Sequence, residues 1–181
     1  IRWHIIRVRA AVSLENLPII DQSIKQILMY QQHPYFIRKL PTILRARGIW
    51  LRKSGYLHQA NASFTCALQV ANNDRLRMSL KISQGIVAHH LGQSIRAKQL
   101  YTEAKALAIK LVSDRVMPNI ENNLGTVALG LDRFEEAEQH YRAALAGYQK
   151  VAKRSGNVTA GINLLFIFLL QDQGLNYQRL Y

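Results

Sequence analysis

A glycine, an alanine twelve residues on, an aromatic after four more and an alanine after a further three recur together three times in this chain of 181 residues. The copies are Gly48, Ala60, Phe64 and Ala67; Gly85, Ala97, Tyr101 and Ala104; and Gly125, Ala137, Tyr141 and Ala144. At this composition such a four-point match arises at roughly one start position in ten thousand, so three in phase are a repeat and not chance. The glycines are 37 and 40 residues apart, a length that holds two helices and two turns. Each unit therefore reads as a helical hairpin. Seven residues beyond each glycine stand Gly55, Gly92 and Asp132, residues that tolerate positive φ or start turns.

Small residues at these positions let two helix backbones approach, and the aromatic fills the gap beside them. The alanine, aromatic and alanine of the second helix share one face at a 3.6-residue period, which makes the aromatics core and not a base-stacking platform. A degenerate copy precedes the others, with Val8 for glycine and Ile20, Ile24 and Ile27 at the matching offsets. Pro18 falls near the start of its second helix, and Pro34 and Pro41 are expected to bracket the crossing into the next unit. A fifth unit is expected to begin near Val158 and turn near Asp172 to Gly174. The reading is one domain, 1–181, with a degenerate repeat over 1–33, repeats over 41–72, 78–110 and 118–152, and a truncated repeat over 158–181. A start at Ile1 and an ending inside a helix suggest a segment of something longer.

Composition agrees with helices. Hydrophobic residues make up 49% and aromatics 8%, with four prolines and no β-branched alternation, which gives an all-α class. The formal charge of +13 attracts acidic partners: nucleic acid, an anionic membrane surface or an acidic peptide. A single cysteine, Cys66, excludes an intramolecular disulfide and a multi-cysteine metal site, and its apolar setting predicts a buried structural thiol. His89 and His90 are adjacent, about 100° apart on a helix, whereas a helical metal pair needs a separation of three or four. Glu135, Glu136 and Glu138 open a second helix, where carboxylates suit the positive end of the dipole. No phosphate loop or nucleophile elbow is present, so neither catalytic residues nor a metal or cofactor is expected. The longest apolar run, from Ile162 to Leu170, is too short to span a bilayer.

This spacing resembles the tetratricopeptide repeat, and Asn123-Leu124-Gly125 with Asp132-Arg133-Phe134-Glu135-Glu136-Ala137 is similar to its consensus. The resemblance implies a right-handed superhelix, or solenoid, of antiparallel hairpins that holds a partner without catalysing a reaction. The long units are similar to the extended repeats of bacterial transcription activators, peptide-responsive regulators and sensory regions. Lys81 and Glu121 depart from the family pattern, standing where it usually places an aromatic or large apolar residue. The stretch from Asn163-Leu164-Leu165 to Asn176-Tyr177-Gln178-Arg179 resembles the end of sensory regions that precede output domains in some gammaproteobacterial diguanylate cyclases. That implies a signal-receiving region of a cyclase or kinase, periplasmic if the whole is membrane-bound and cytoplasmic otherwise.

In stacked hairpins the first helices line a concave groove. The repeat phase assigns it Arg45, Arg52 and Lys53 in one unit, His89 in the next, and Asn119, Asn122 and Asn123 in the third. Asparagine satisfies both the amide and carbonyl groups of an extended peptide, and arginine forks onto carboxylates, so the expected partner is a protein or an acidic or C-terminal peptide. Ile49, Ser83 and Ile86 stand where the family's carboxylate clamp needs polar groups, leaving only Asn123 in place, so binding to chaperone tails is not expected. Pairing with a second copy stays open. The alternative function is a nucleic-acid-associated repeat protein; scattered basic residues such as Arg2, Arg7, Arg9, Lys39, Arg75, Arg77 and Lys153 argue against it.

Overall fold

The computed structural model describes residues 1–170, and among these every regular element is an α-helix. Two compact units divide the chain, Ile1–Leu91 and Gly92–Tyr181.

The first unit holds α1 (Arg2–Ser13), α2 (Leu17–Leu28), α3 (Pro34–Lys53), α4 (Leu57–Gln69) and α5 (Asp74–His90). Local chemistry sets the starts. Asn16 caps α2 by accepting the Ile19 amide at 3.1 Å, and Asn73 caps α5 by accepting that of Leu76 at 2.9 Å. Such caps satisfy amides that have no intrahelical partner. Helices α1 with α2 and α3 with α4 form hairpins, α1 also lies against α3, and α5 packs on α4 and α3. Val8, Ile20, Ile24, Ile27 and Ile43 fill the core near the start of the unit, and Leu51, Ala60, Phe64, Ala67 and Leu80 continue it.

Two expectations fail here. Pro34 opens α3, but Pro41 lies inside that helix instead of breaking it. Phe36 and Ile43 anchor the helix in the core on either side, and the proline ring is itself buried, which offsets the lost backbone hydrogen bond. Cys66 is exposed, not buried. It stands two residues beyond Phe64 and so about 200° round the helix from that buried ring.

The second unit holds α6 (Ser94–Lys110), α7 (Met117–Leu129), α8 (Phe134–Lys150) and α9 (Arg154–Leu170). Helices α7 and α8 form a hairpin, α6 packs on α7, and α9 packs on α8 and α7. Tyr141 and Ala137 sit at the centre with Leu164 and Ile167, and Tyr148 packs with Ala144 and Ala160. The expected turn at 172–174 and the rest of the truncated repeat lie outside the described residues. Among the described residues no helix is long and apolar enough to cross a membrane.

Positive φ falls at Gly55 (87°), Gly92 (72°) and Asp132 (56°), and also at Val112 (48°). A β-branched residue in this region is strained, by roughly 1–2 kcal/mol. Val112 is 83% exposed, so little packing opposes its removal. Val112→Gly is expected to raise stability by up to about 1 kcal/mol, after allowing for the extra freedom glycine has in the unfolded chain. Urea unfolding measures this, and a less stable variant would refute the strain.

Candidate functional site

Aromatic rings lie directly over glycines of the facing helices. A Cβ on Gly48 would lie 2.4 Å from Phe64 Cε1, and one on Gly125 2.7 Å from the Tyr141 ring. With Ala60, Ala67, Ala137 and Ala144 all fully buried, these residues are committed to the interior. What remains for recognition is the polar surface of each unit.

In the first unit, the last turns of α3 carry Arg45, Arg52 and Lys53. Lys53 pairs with Glu15 in the turn after α1, Nζ to Oε2 at 2.7 Å. That hydrogen bond and charge, with a smaller contribution from Arg52, hold the Glu15 carboxyl below its ordinary value. Arg52 is half-buried. Arg45 is different: its guanidinium lies in a cleft of about 440 Å³ lined by Ile6, Arg9, Ser13, Thr42 and Ala46 among others, and its Nε is buried without a hydrogen-bond partner. Burial first, and then the charge of Arg9, lower its pKa. The cleft lining contains no acidic residue.

His89, on α5, is also half-buried, with Nδ1 unpartnered and its ring edge-on to His90 at 6.0 Å. Burial and then the neighbouring His90 lower its pKa, which keeps it neutral at pH 7.

Two of the three asparagines of α7 are drawn into the second unit's own structure. Asn119 Oδ1 accepts from Tyr148 Oη at 3.1 Å and from Lys153 Nζ at 3.0 Å. Asn122 Oδ1 accepts from Asn163 Nδ2 at 3.1 Å. Asn123 is half-buried and makes no side-chain hydrogen bond among the described residues. Thus Arg45, Arg52, Lys53 and His89 belong to one unit and Asn119, Asn122 and Asn123 to the other.

Sequence reasoning missed a polar network in the second unit. Glu121, 5% exposed, accepts from His140 Nδ1 at 2.7 Å and from Lys105 Nζ at 2.7 Å. A carboxylate only accepts, so Nδ1 carries the proton. His140 Nε2 lies 3.8 Å from Glu136, which itself binds Lys98 at 2.5 Å and Arg133 at 3.4 Å. Burial alone would raise the Glu121 carboxyl, but the hydrogen bonds and charges of His140 and Lys105 together outweigh it and leave the group below its ordinary value. A usable signal existed. Lys98 and Glu136 are 38 positions apart, as are Lys53 and Glu15, while Lys150 and Asp114 are 36 apart: opposite charges one repeat apart meet when hairpins stack.

Charge is also less dispersed than the scattered basic residues suggest. Residues 1–91 hold thirteen lysines and arginines against three acids, a net of +10, whereas residues 92–181 hold eleven against eight, a net of +3. No acidic residue occurs over 22–73.

Antiparallel helix pairs locked by rings over glycines define a helical-repeat protein. Residues 76–150 match the tetratricopeptide repeat model, and that stretch of the chain is made of tetratricopeptide repeats. Solved structures share the fold. BtubC (BKLC) from P. vanneervenii is 17% identical with a TM-score of 0.69, the match covering 90% of this chain and 68% of that one. A putative kinesin light chain from Podosopora anserina with nearly identical TPR-like repeats is 13% identical at a TM-score of 0.64, over 99% of this chain and 90% of that one. MamA 41-end from Desulfovibrio magneticus RS-1 is 15% identical at a TM-score of 0.57, over 93% and 95%. At these identities the likeness shows the fold alone. No curated protein matches the sequence.

Proposed function

We propose that this chain is a non-catalytic scaffold or sensor region that binds a protein, peptide or small signal on its first helices and passes the result to an output domain. The resemblance of its last stretch to sensory regions points to a bacterial signalling protein, a diguanylate cyclase or a kinase, as the setting. The observation that carries the reading is the concentration of charge: the first unit has a net of +10, and Arg45 on α3 lies in a cleft with no carboxylate in its lining. A field of that sign raises encounter with acidic partners, and an arginine fork then selects planar oxyanions among them.

The test is a peptide array probed with the chain and with a variant carrying Arg45→Glu, Arg52→Glu and Lys53→Glu. The wild-type chain is expected to retain acidic peptides and the variant to bind them at least tenfold more weakly, with helix content unchanged by circular dichroism. An array that retains no peptide, or a pattern indifferent to the charge reversal, overturns the reading.

The same +10 supports a second reading, a nucleic-acid-associated repeat protein. Its binding would fall steeply with salt, in proportion to the phosphates neutralised, whereas capture by a forked contact in a cleft depends less on ionic strength.

A further inference from the structure

We infer that the cleft between α1 and α3 is an oxyanion subsite in which Arg9 and Arg45 together hold a carboxylate of an acidic peptide. The inference rests on the peptide-binding reading above and gives it a site and a chemistry. Three observations converge on it.

The two arginines come from different hairpins, 36 positions apart in sequence, and line one cleft close enough for the charge of Arg9 to act on Arg45. Like charges brought together without a carboxylate disfavour each other, and an anion between them removes that penalty. The Arg45 Nε is buried and unpartnered. Buried polar groups in folded proteins almost always have an acceptor, and no carboxylate of the cleft lining compensates this guanidinium, so an anion entering the cleft meets an unneutralised charge. Finally, the remaining lining offers the Thr42 hydroxyl beside apolar Ile6 and Val12. Ser13 Oγ donates its one proton to the Arg9 carbonyl at 3.2 Å and so is not a donor to the oxyanion. A planar carboxylate suits two forked guanidinium groups, and the apolar wall suits the side chain of a neighbouring residue. A nucleic-acid backbone has phosphate charge but no such side chain, so the cleft favours a peptide.

Fluorescence anisotropy of the whole chain with a labelled decapeptide of alternating aspartate and leucine tests this, alongside its asparagine counterpart and a single-stranded DNA of equal charge. The aspartate peptide is expected to bind, and the asparagine peptide and the DNA to bind at least tenfold more weakly. Arg9→Ala and Arg45→Met are each expected to weaken the aspartate peptide about tenfold. Arg45→Lys, which keeps the charge and loses the fork, falls between. Arg47→Ala, an exposed neighbour on the same helix, leaves binding within about twofold.

Because Arg45→Met keeps the buried stem and removes an unpaired charge, its thermal midpoint should match or exceed that of the wild type, which separates lost binding from lost fold. If the aspartate peptide binds and neither Arg9→Ala nor Arg45→Met weakens it, the subsite is wrong while the peptide reading stands. Tighter binding of DNA than of peptide overturns the subsite in favour of phosphate. If neither this peptide nor any on the array binds, both fall.

Discussion

An alanine at position 125 is expected to destabilise the second unit by about 1–3 kcal/mol, the usual cost of overpacking a filled interior. Helix propensity alone predicts the opposite sign, since alanine is better than glycine by about 1 kcal/mol. Geometry decides between them. The new Cβ would lie 2.7 Å from Cδ1 and Cε1 of Tyr141, whose side chain is 1% exposed and donates its hydroxyl proton to Thr126 Oγ1 at 3.2 Å. Neither end of the ring is free to swing aside. Removing the ring therefore reverses the effect. Tyr141→Ala itself costs about 3–5 kcal/mol as a buried aromatic lost to a cavity, but in that background Gly125→Ala finds space and stabilises by up to about 1 kcal/mol. Urea unfolding of the four proteins completes the cycle. A Gly125→Ala effect of the same sign and size in both backgrounds would show that the ring is not what requires the glycine. Gly48 under Phe64, with its tighter 2.4 Å approach, should behave the same way.

These contacts explain why the helix pairs were legible in the sequence. A glycine under a ring, with alanines one turn to either side, is a local pattern at helical period, and its recurrence reveals the hairpin without any knowledge of the partner helix. The losses have a common cause. Pro41 was read from its own propensity, yet Phe36 and Ile43 on either side of it hold α3 in the core. Cys66 was read from the apolar character of its stretch, yet its angle from Phe64 decides its exposure. Asn122 and Asn163 are 41 positions apart and Glu121 and His140 are 19 apart. Their pairing depends on how neighbouring helices stack, which the period of a single helix does not show. Arg9 went unread as a site residue for the same reason: only the packing of α1 on α3 brings it beside Arg45.

Glu121→Gln removes the charge at the centre of the α6, α7 and α8 network, and its cost at pH 7 is expected to be about 2–3 kcal/mol. Breaking one partner of a fully buried pair costs about 3–5 kcal/mol, but here Lys105 is 36% exposed and reaches water, and His140, 20% exposed, still has Glu136 at 3.8 Å. The pH dependence identifies the source. Glu121 and Glu136 are both held below the ordinary value of 4.5, Glu121 by His140 and Lys105 against the effect of burial, Glu136 mainly by Lys98. In the unfolded chain each takes up its proton near 4.5, and in the folded protein only at lower pH. Between those values the unfolded state binds more protons, so stability rises with pH. The contribution is complete above about pH 5 and is lost as pH falls through the folded values. Wild type and Glu121→Gln should therefore differ most at neutral pH and converge in acid, where the wild-type carboxylate is protonated too. Denaturant unfolding from pH 7 to pH 3 reads this directly. A gap between the two proteins that stays constant across the range would mean that Glu121 acts through its shape and not through its charge. Glu121→Leu asks whether the charge is worth keeping. If the ion pairs only compensate their own desolvation, leucine is neutral or stabilising, as replacement of buried pairs by apolar residues often is. With Lys105 and His140 both retained, the leucine variant is expected to lose the share of the acid-side slope that Glu121 contributes, keep that of Glu136, and sit no lower in stability than Glu121→Gln.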